Sequence, residues 1–266
     1  MAKRVGIVPH LFAQPLFDGL RQHNSASSQF ELSEDSFVQL AIKLRQHHLD
    51  GAFLSPIDYA KEYLFYRIVP NVCAVSEGVS ETVLLVFHEN IRRIKTIAID
   101  PRFSSEIVLT RLILAEKYDT IPQFILSSGT IEQALTQPDA VLVVGDAALA
   151  VKDTKNKLDL IDEWTDIIGL PFIHGFWVSR EDGLTTSEMT TLIEGAHRGV
   201  QNLRRFGDDF NHQCLERFQY DFNERAISGL NEFFRMAYYH GILKDIPDVK
   251  FHTLERKFDV SLMNKN

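Results

Sequence analysis

The chain has 266 residues, 45% of them apolar and 24% charged, a balance that fills one large or two modest globular cores and excludes a disordered polymer. Its formal net charge of −8 and the lack of a Lys/Arg stripe argue against a nucleic-acid partner, because phosphate binding requires a basic face. No apolar run approaches the roughly eighteen residues of a membrane span. Met1-Ala2-Lys3-Arg4 leads directly into an apolar strand pattern rather than a secretory leader, so a cytoplasmic location is expected.

In chain order, residues 5–8 read as a buried strand, 15–22 as a first helix, and 35–48 as an amphipathic helix with Phe37, Leu40, Ala41 and Leu44 on one face and its N-cap near Ser33. Residues 51–54 form a second strand. Ser55-Pro56 then caps a helix whose proline sits in the first turn, where a missing N–H costs nothing. Residues 72–75 and 82–87 are rich in β-branched side chains and read as strands. Cys73 falls in the first of these as a buried small hydrophobe; with Cys214 far away and no CxxC spacing, neither a redox pair nor a metal site is expected. Arg92, Arg93 and Lys95 form only a short basic patch, read as a solvated turn.

The middle third repeats the alternation: strand 94–99, a helix over 107–118 opened by Ser104-Ser105, strand 123–126, a short helix over 130–135, and the buried strand 140–144. Strand–helix repetition of this kind builds parallel sheets, so the class is α/β. After a strand over 172–178, the chain becomes helical at 185–206 and 222–239, with apolar residues at helical spacing. Composition shifts near 87–94 and 179–186 suggest two hinges. The expected domains are 1–87 plus 181–266, discontinuous, and an inserted 88–180.

Small and hydroxylated residues recur where strands end: Ser55-Pro56-Ile57-Asp58-Tyr59, Asp100-Pro101 with Ser104-Ser105, Gly145-Asp146-Ala147-Ala148-Leu149, and Gly169-Leu170-Pro171-Phe172. Such junctions expose backbone N–H groups at helix starts, which is how α/β proteins grip small, usually anionic molecules. The adjacent His47-His48 point about 100° apart on a helix and cannot share a metal, so none is predicted.

The order of these phrases resembles the chorismate dehydratase family of the futalosine route to menaquinone. The opening residues Val5-Gly6-Ile7-Val8-Pro9-His10-Leu11-Phe12-Ala13-Gln14-Pro15-Leu16 are similar to the family's Val-Gly-x-Val-Ser-Tyr-Leu-Asn-x-x-Pro-Leu. Asp50-Gly51-Ala52 through Ala60 resembles its second landmark. Val144 to Leu149, with Asp159-Leu160, Glu163-Trp164 and Gly169 to Trp177, resembles it most specifically, and Tyr220-Asp221 with Gly229-Leu230 resembles its last helix.

The resemblance implies a two-domain fold of the type II periplasmic-binding-protein kind with a central cleft, closing on a small carboxylated metabolite. It implies a lyase that dehydrates chorismate without a cofactor, as a monomer or homodimer. The alternative is a protein that binds a small molecule in the same cleft without chemistry, because Phe12 stands where the family has an Asn that the resemblance would make catalytic.

Thr82, which keeps a hydroxyl where the family has Ser, and His10, which can transfer a proton near neutral pH, are the candidate catalytic residues. Phe12, Ser55, Ser76, Ser104, Ser105, Asp146 and His174 are the candidate substrate contacts. Capping is the competing role for Ser55 and Asp146, and simple packing beside Pro9 for His10. Glu77, Glu81 and Glu106 depart from the family pattern and would repel a dianion if they faced it; outward orientation is the other reading, favoured for Glu81 if Thr82 faces inward.

Overall fold

The computed structural model describes residues 2–22, 29–89, 93–127, 131–134, 136–151, 153–203 and 213–254. The N-terminal third forms β1 (Lys3–Ile7), α1 (Gln14–Gln22), β2 (Phe30–Glu34), α2 (Phe37–Arg45), β3 (Gly51–Leu54), α3 (Pro56–Ala60) and β4 (Tyr66–Ser76). The middle forms β5 (Val83–Phe87), β6 (Thr96–Ile99), α4 (Ser104–Tyr118), β7 (Gln123–Leu126), α5 (Ile131–Ala134), β8 (Ala140–Val144), α6 (Asp146–Leu149), β9 (Lys157–Asp159) and α7 (Leu160–Ile168). The chain ends with β10 (Phe172–Arg180), α8 (Thr186–Val200), β11 (Phe218–Gln219) and α9 (Glu224–Tyr239).

Two sheets organise these elements, in the orders β11-β4-β10-β3-β1-β2 and β7-β6-β8-β5-β9. In the first, β1 runs parallel to β2 and β3, while β10 runs antiparallel to β3 and β4. In the second, β6 is parallel to β7 and β8, and β5 is antiparallel to β8 and β9. Strands β5 and β10 therefore sit in sheets opposite to those their expected domains assigned. The chain crosses between sheets from Ser76 to Val83 and from Asp159 to Phe172, earlier at each crossing than the hinges expected near 87–94 and 179–186.

Strand β10 shows why the centre of the first sheet is dry. All of its residues but Arg180 are buried, as a strand covered on both faces requires. Gly175 permits it, because a Cβ there would lie 2.4 Å from the Phe53 ring. Phe17, Phe53 and Trp177 meet edge-on at centroid separations of 5.2–5.8 Å, the preferred geometry of aromatic cores.

Several local expectations change. Ser33 lies in β2; Ser36 caps α2 instead, its hydroxyl accepting from the Gln39 N–H. Strand β4 is eleven residues long where 72–75 was expected, because the flanking Tyr66 to Asn71 also pair or cover the sheet. Strands β2 and β9 and helix α7 add elements to the expected set, and the last part of the helix expected over 185–206 falls outside the described residues. Among the described residues no helix is long and apolar enough to cross a membrane.

Candidate functional site

The carboxyl ends of β1, β2, β6 and β8 meet across the division between the two lobes. A cavity of about 640 Å³ opens there, walled by Pro9, His10, Asp35 and Ser36 from the first lobe and by Arg102, Phe103, Asp146 and Ala147 from the second. This is where ligands bind in open α/β sheets. Its acids are already engaged: Glu34 pairs with Arg21 at 2.9 Å, Asp35 with Lys43 at 3.0 Å, and Asp146 Oδ1 accepts from the Leu11 N–H at 3.0 Å. Arg102 is bound to Asp100.

His10 anchors the floor. Its ring lies nearly parallel to that of Phe12 and stacks on it, 5.5 Å between centroids and 8° between planes, and Phe12 stacks in turn on Phe218 at 5.3 Å and 9°. Phe103 approaches His10 from the other lobe at 5.6 Å. Burial pushes the imidazole below its ordinary value, against the opposing pull of Asp146, so His10 is neutral at pH 7 and free to accept a proton. Close approach also fixes Gly145, where a Cβ would sit 3.0 Å from His10 Nδ1 and φ is +68°.

Behind this stack lies a sealed polar pair. Ser76 Oγ and His174 Nε2 are 2.7 Å apart, each 1% exposed, with Phe12, Phe172 and Phe218 around the imidazole at 5.1–5.2 Å. Complete burial lowers His174 to about 3, so it is neutral. Thr82 is buried as well; its hydroxyl donates to Ser80 Oγ at 3.0 Å, and Asp159 accepts from the Ser80 and Glu81 N–H groups at 3.0 and 2.6 Å.

The structure thus sorts the expected site residues into three groups. His10 and Asp146 line the cavity, with Phe12, His174 and Ser76 directly behind it. Ser55, Ser104 and Ser105 are tied into a contact between the lobes: Ser104 Oγ donates to Asp58 at 2.9 Å, Ser55 Oγ to the same carboxylate at 2.8 Å, and the Ile57 N–H to Ser105 Oγ at 2.9 Å. Thr82 belongs to the crossing segment with Ser80 and Asp159.

Of the three glutamates, Glu77 pairs with Arg225 at 2.5 Å and Glu81 with Arg217 at 2.6 Å, each turned to a cation rather than to the cavity. Glu106 is 2% exposed. Asp58, Phe103, Arg102 and Phe218 complete these groups and were not expected from sequence. An N-cap signal was available for Asp159, which precedes the apolar run of α7 and accepts from Ile161 and Asp162. Among the described residues no group of three or more His, Cys, Asp or Glu side chains could hold a metal.

Solved structures share this architecture. Protein AF1704 from Archaeoglobus fulgidus is similar at 18% identity and a TM-score of 0.67, over 91% of this chain and 98% of its own. The Candida albicans CA3427 product, described as having the generic periplasmic binding protein fold, matches at 13% and 0.67 over 94% and 93%. The periplasmic aliphatic sulphonate binding protein SsuA from Escherichia coli matches at 15% and 0.63 over 93% and 95%. At these identities the likeness concerns the fold, which is that of the periplasmic binding proteins. A protein-family model described as menaquinone biosynthesis matches residues 3–239, and the chain belongs to that family.

Proposed function

We propose that the protein is a carbon–oxygen lyase of menaquinone biosynthesis that dehydrates chorismate, or a close cyclic carboxylate, in the cleft between its lobes. The observation that carries this reading is His10: a neutral imidazole on the cavity floor, backed by an aromatic stack and facing Asp146 across the lobes. In the proposed reaction the ring C–H proton passes to the imidazole, and its electron pair becomes the new ring π bond. The C–O bond to the ring hydroxyl breaks, and the departing oxygen takes a proton to leave as water. Asp146 stabilises the imidazolium that forms transiently, and when that proton returns to the leaving oxygen the enzyme ends unchanged. Phe103 brings an aromatic ring to the cavity wall, and Arg102 is the cation there able to exchange Asp100 for a substrate carboxylate.

A second reading is favoured by Phe12. Its buried ring, stacked between His10 and Phe218, stands where the resemblance puts an amide, and a phenyl group cannot hydrogen-bond a leaving oxygen. On this reading the protein binds the ligand without turning it over. Incubation of purified protein with chorismate, followed by ultraviolet absorbance of the aromatic enol ether, separates the two. Turnover lost in a His10→Ala variant supports the lyase; saturable binding by calorimetry without turnover supports the binding protein; neither binding nor turnover refutes both for chorismate.

A further inference from the structure

The first turn of α4 meets the first turn of α3 across the lobes, one residue beyond the cavity wall at Arg102 and Phe103. The contact is polar and almost dry. Asp58 is 1% exposed and collects hydrogen bonds from Ser55 and Ser104 and an ion pair from Lys61 at 2.7 Å. Beside it Glu106 is 2% exposed, and its Oε2 has no hydrogen-bond partner among the described residues. We propose that this junction is a proton-operated latch: Glu106 must be uncharged for the lobes to stay closed, and its ionisation releases α4 from α3 and with it the cavity wall.

The physical case starts with position. Glu106 is the third residue of α4, where the helix dipole favours a carboxylate by roughly 0.3–1 kcal/mol at an exposed site. Burial overrides that preference and the proximity of Asp58 adds to it, so the carboxyl rises from its ordinary 4.5 to about 7. Cations do not offset this. Lys61 is spent on Asp58, Lys117 lies at the far end of α4 on Glu163 and Asp166 of α7, and His240 after α9 pairs with Glu116. The facing residues of β8 are all apolar. An ionised Glu106 therefore finds hydration only by opening the junction, where its proton affinity returns toward the ordinary value. Linkage then requires the opening equilibrium to rise up to about tenfold per pH unit between those two values and to level off above them.

Amide hydrogen exchange at Ile57 reads this directly, because its N–H bonds Ser105 Oγ across the junction. After correction for intrinsic exchange, its protection in the full chain should fall by up to about tenfold per unit from pH 5 to 7, while that of Val143 in β8 does not follow. Glu106→Gln should abolish the dependence. A Glu106→Gln variant with the wild-type slope overturns the latch, as does Val143 falling in parallel with Ile57. Should that variant fail to fold, the wild-type chain decides by itself: Ile57 protection that does not change between pH 5 and 7 overturns the proposal. No ligand enters the experiment, so its outcome is independent of the proposed reaction.

Discussion

Two buried groups should contribute to the pH dependence of stability with opposite signs, and removing either one should expose the other. His174 is held near 3 in the folded protein against an ordinary 6.5, so below 6.5 the unfolded chain binds a proton that the folded chain does not. Stability from this group is present above 6.5 and is lost as pH falls toward 3, at about 1.4 kcal/mol per unit. Glu106 runs the other way: held near 7 against 4.5, the folded chain keeps a proton that the unfolded chain releases. Its contribution is complete below 4.5 and is lost as pH rises to 7, at the same slope of about 1.4 kcal/mol per unit. Between 4.5 and 6.5 the two oppose each other. Urea unfolding from pH 5 to 6.5 should therefore differ between wild type and Glu106→Gln by a slope of one proton, about 2 kcal/mol over the range. The variant should gain stability with pH relative to wild type. His174→Gln, which can still bond Ser76, should shift the slope by the same amount in the opposite direction. Other titrating groups are common to all three proteins and drop out of the differences. A slope difference below half a proton for either variant would refute the assignment of these groups as buried and, in the folded state, uncharged.

Phe12→Asn restores the amide that the resemblance expects but removes a ring 3% exposed and stacked on two neighbours. The loss is about 3–5 kcal/mol, or roughly 6–10 °C by calorimetry for a chain of this size; a gain in chorismate turnover alongside it would mark Phe12 as the block to chemistry. Gly199→Ala should also destabilise, for a different reason, since the new Cβ would lie 1.8 Å from the Pro15 carbonyl oxygen where α8 crosses α1. Forcing those helices apart costs about 1–3 kcal/mol or more, and thermal melting that matches wild type would contradict the packing.

Much of the fold was legible because its strands obey simple rules. β3, β5, β6 and β8 are short apolar runs bounded by turn residues, the last three rich in branched side chains, and their expected bounds lie within two residues of the observed ones. β2 escaped because its sequence, Phe-Glu-Leu-Ser-Glu, is half polar, as befits an edge strand paired only with β1. The hinges were misplaced for a related reason. Strands β5 and β10 look like continuations of the segments before them, and only hydrogen-bond partners decide to which sheet a strand belongs.

The candidate site was legible as residue types and illegible as a geometry. Ser55, Ser104 and Ser105 were marked by their places before or within a first helical turn, where hydroxyls cap backbone N–H groups or meet a ligand. Sequence cannot separate those uses from a third, in which one helix start supplies the acceptor for another's N–H, as Ser105 does for Ile57. His10, Phe12 and Phe218 form one stack although the last is two hundred residues from the others in sequence, and only the folding of β11 onto β4 brings it there. The same stack gives the aromatic side chain at position 12 its packing partners. A phenyl ring at position 12 would be a defect in a hydrated polar cleft, but it packs against His10, His174 and Phe218 and so adds to the burial that lowers both imidazoles. The ionisation of His10 and the aromatic ring at position 12 are therefore coupled, and Phe12→Ala should raise the His10 pKa measured by NMR toward 6.5; a value unchanged from wild type would separate the ring from the imidazole it backs.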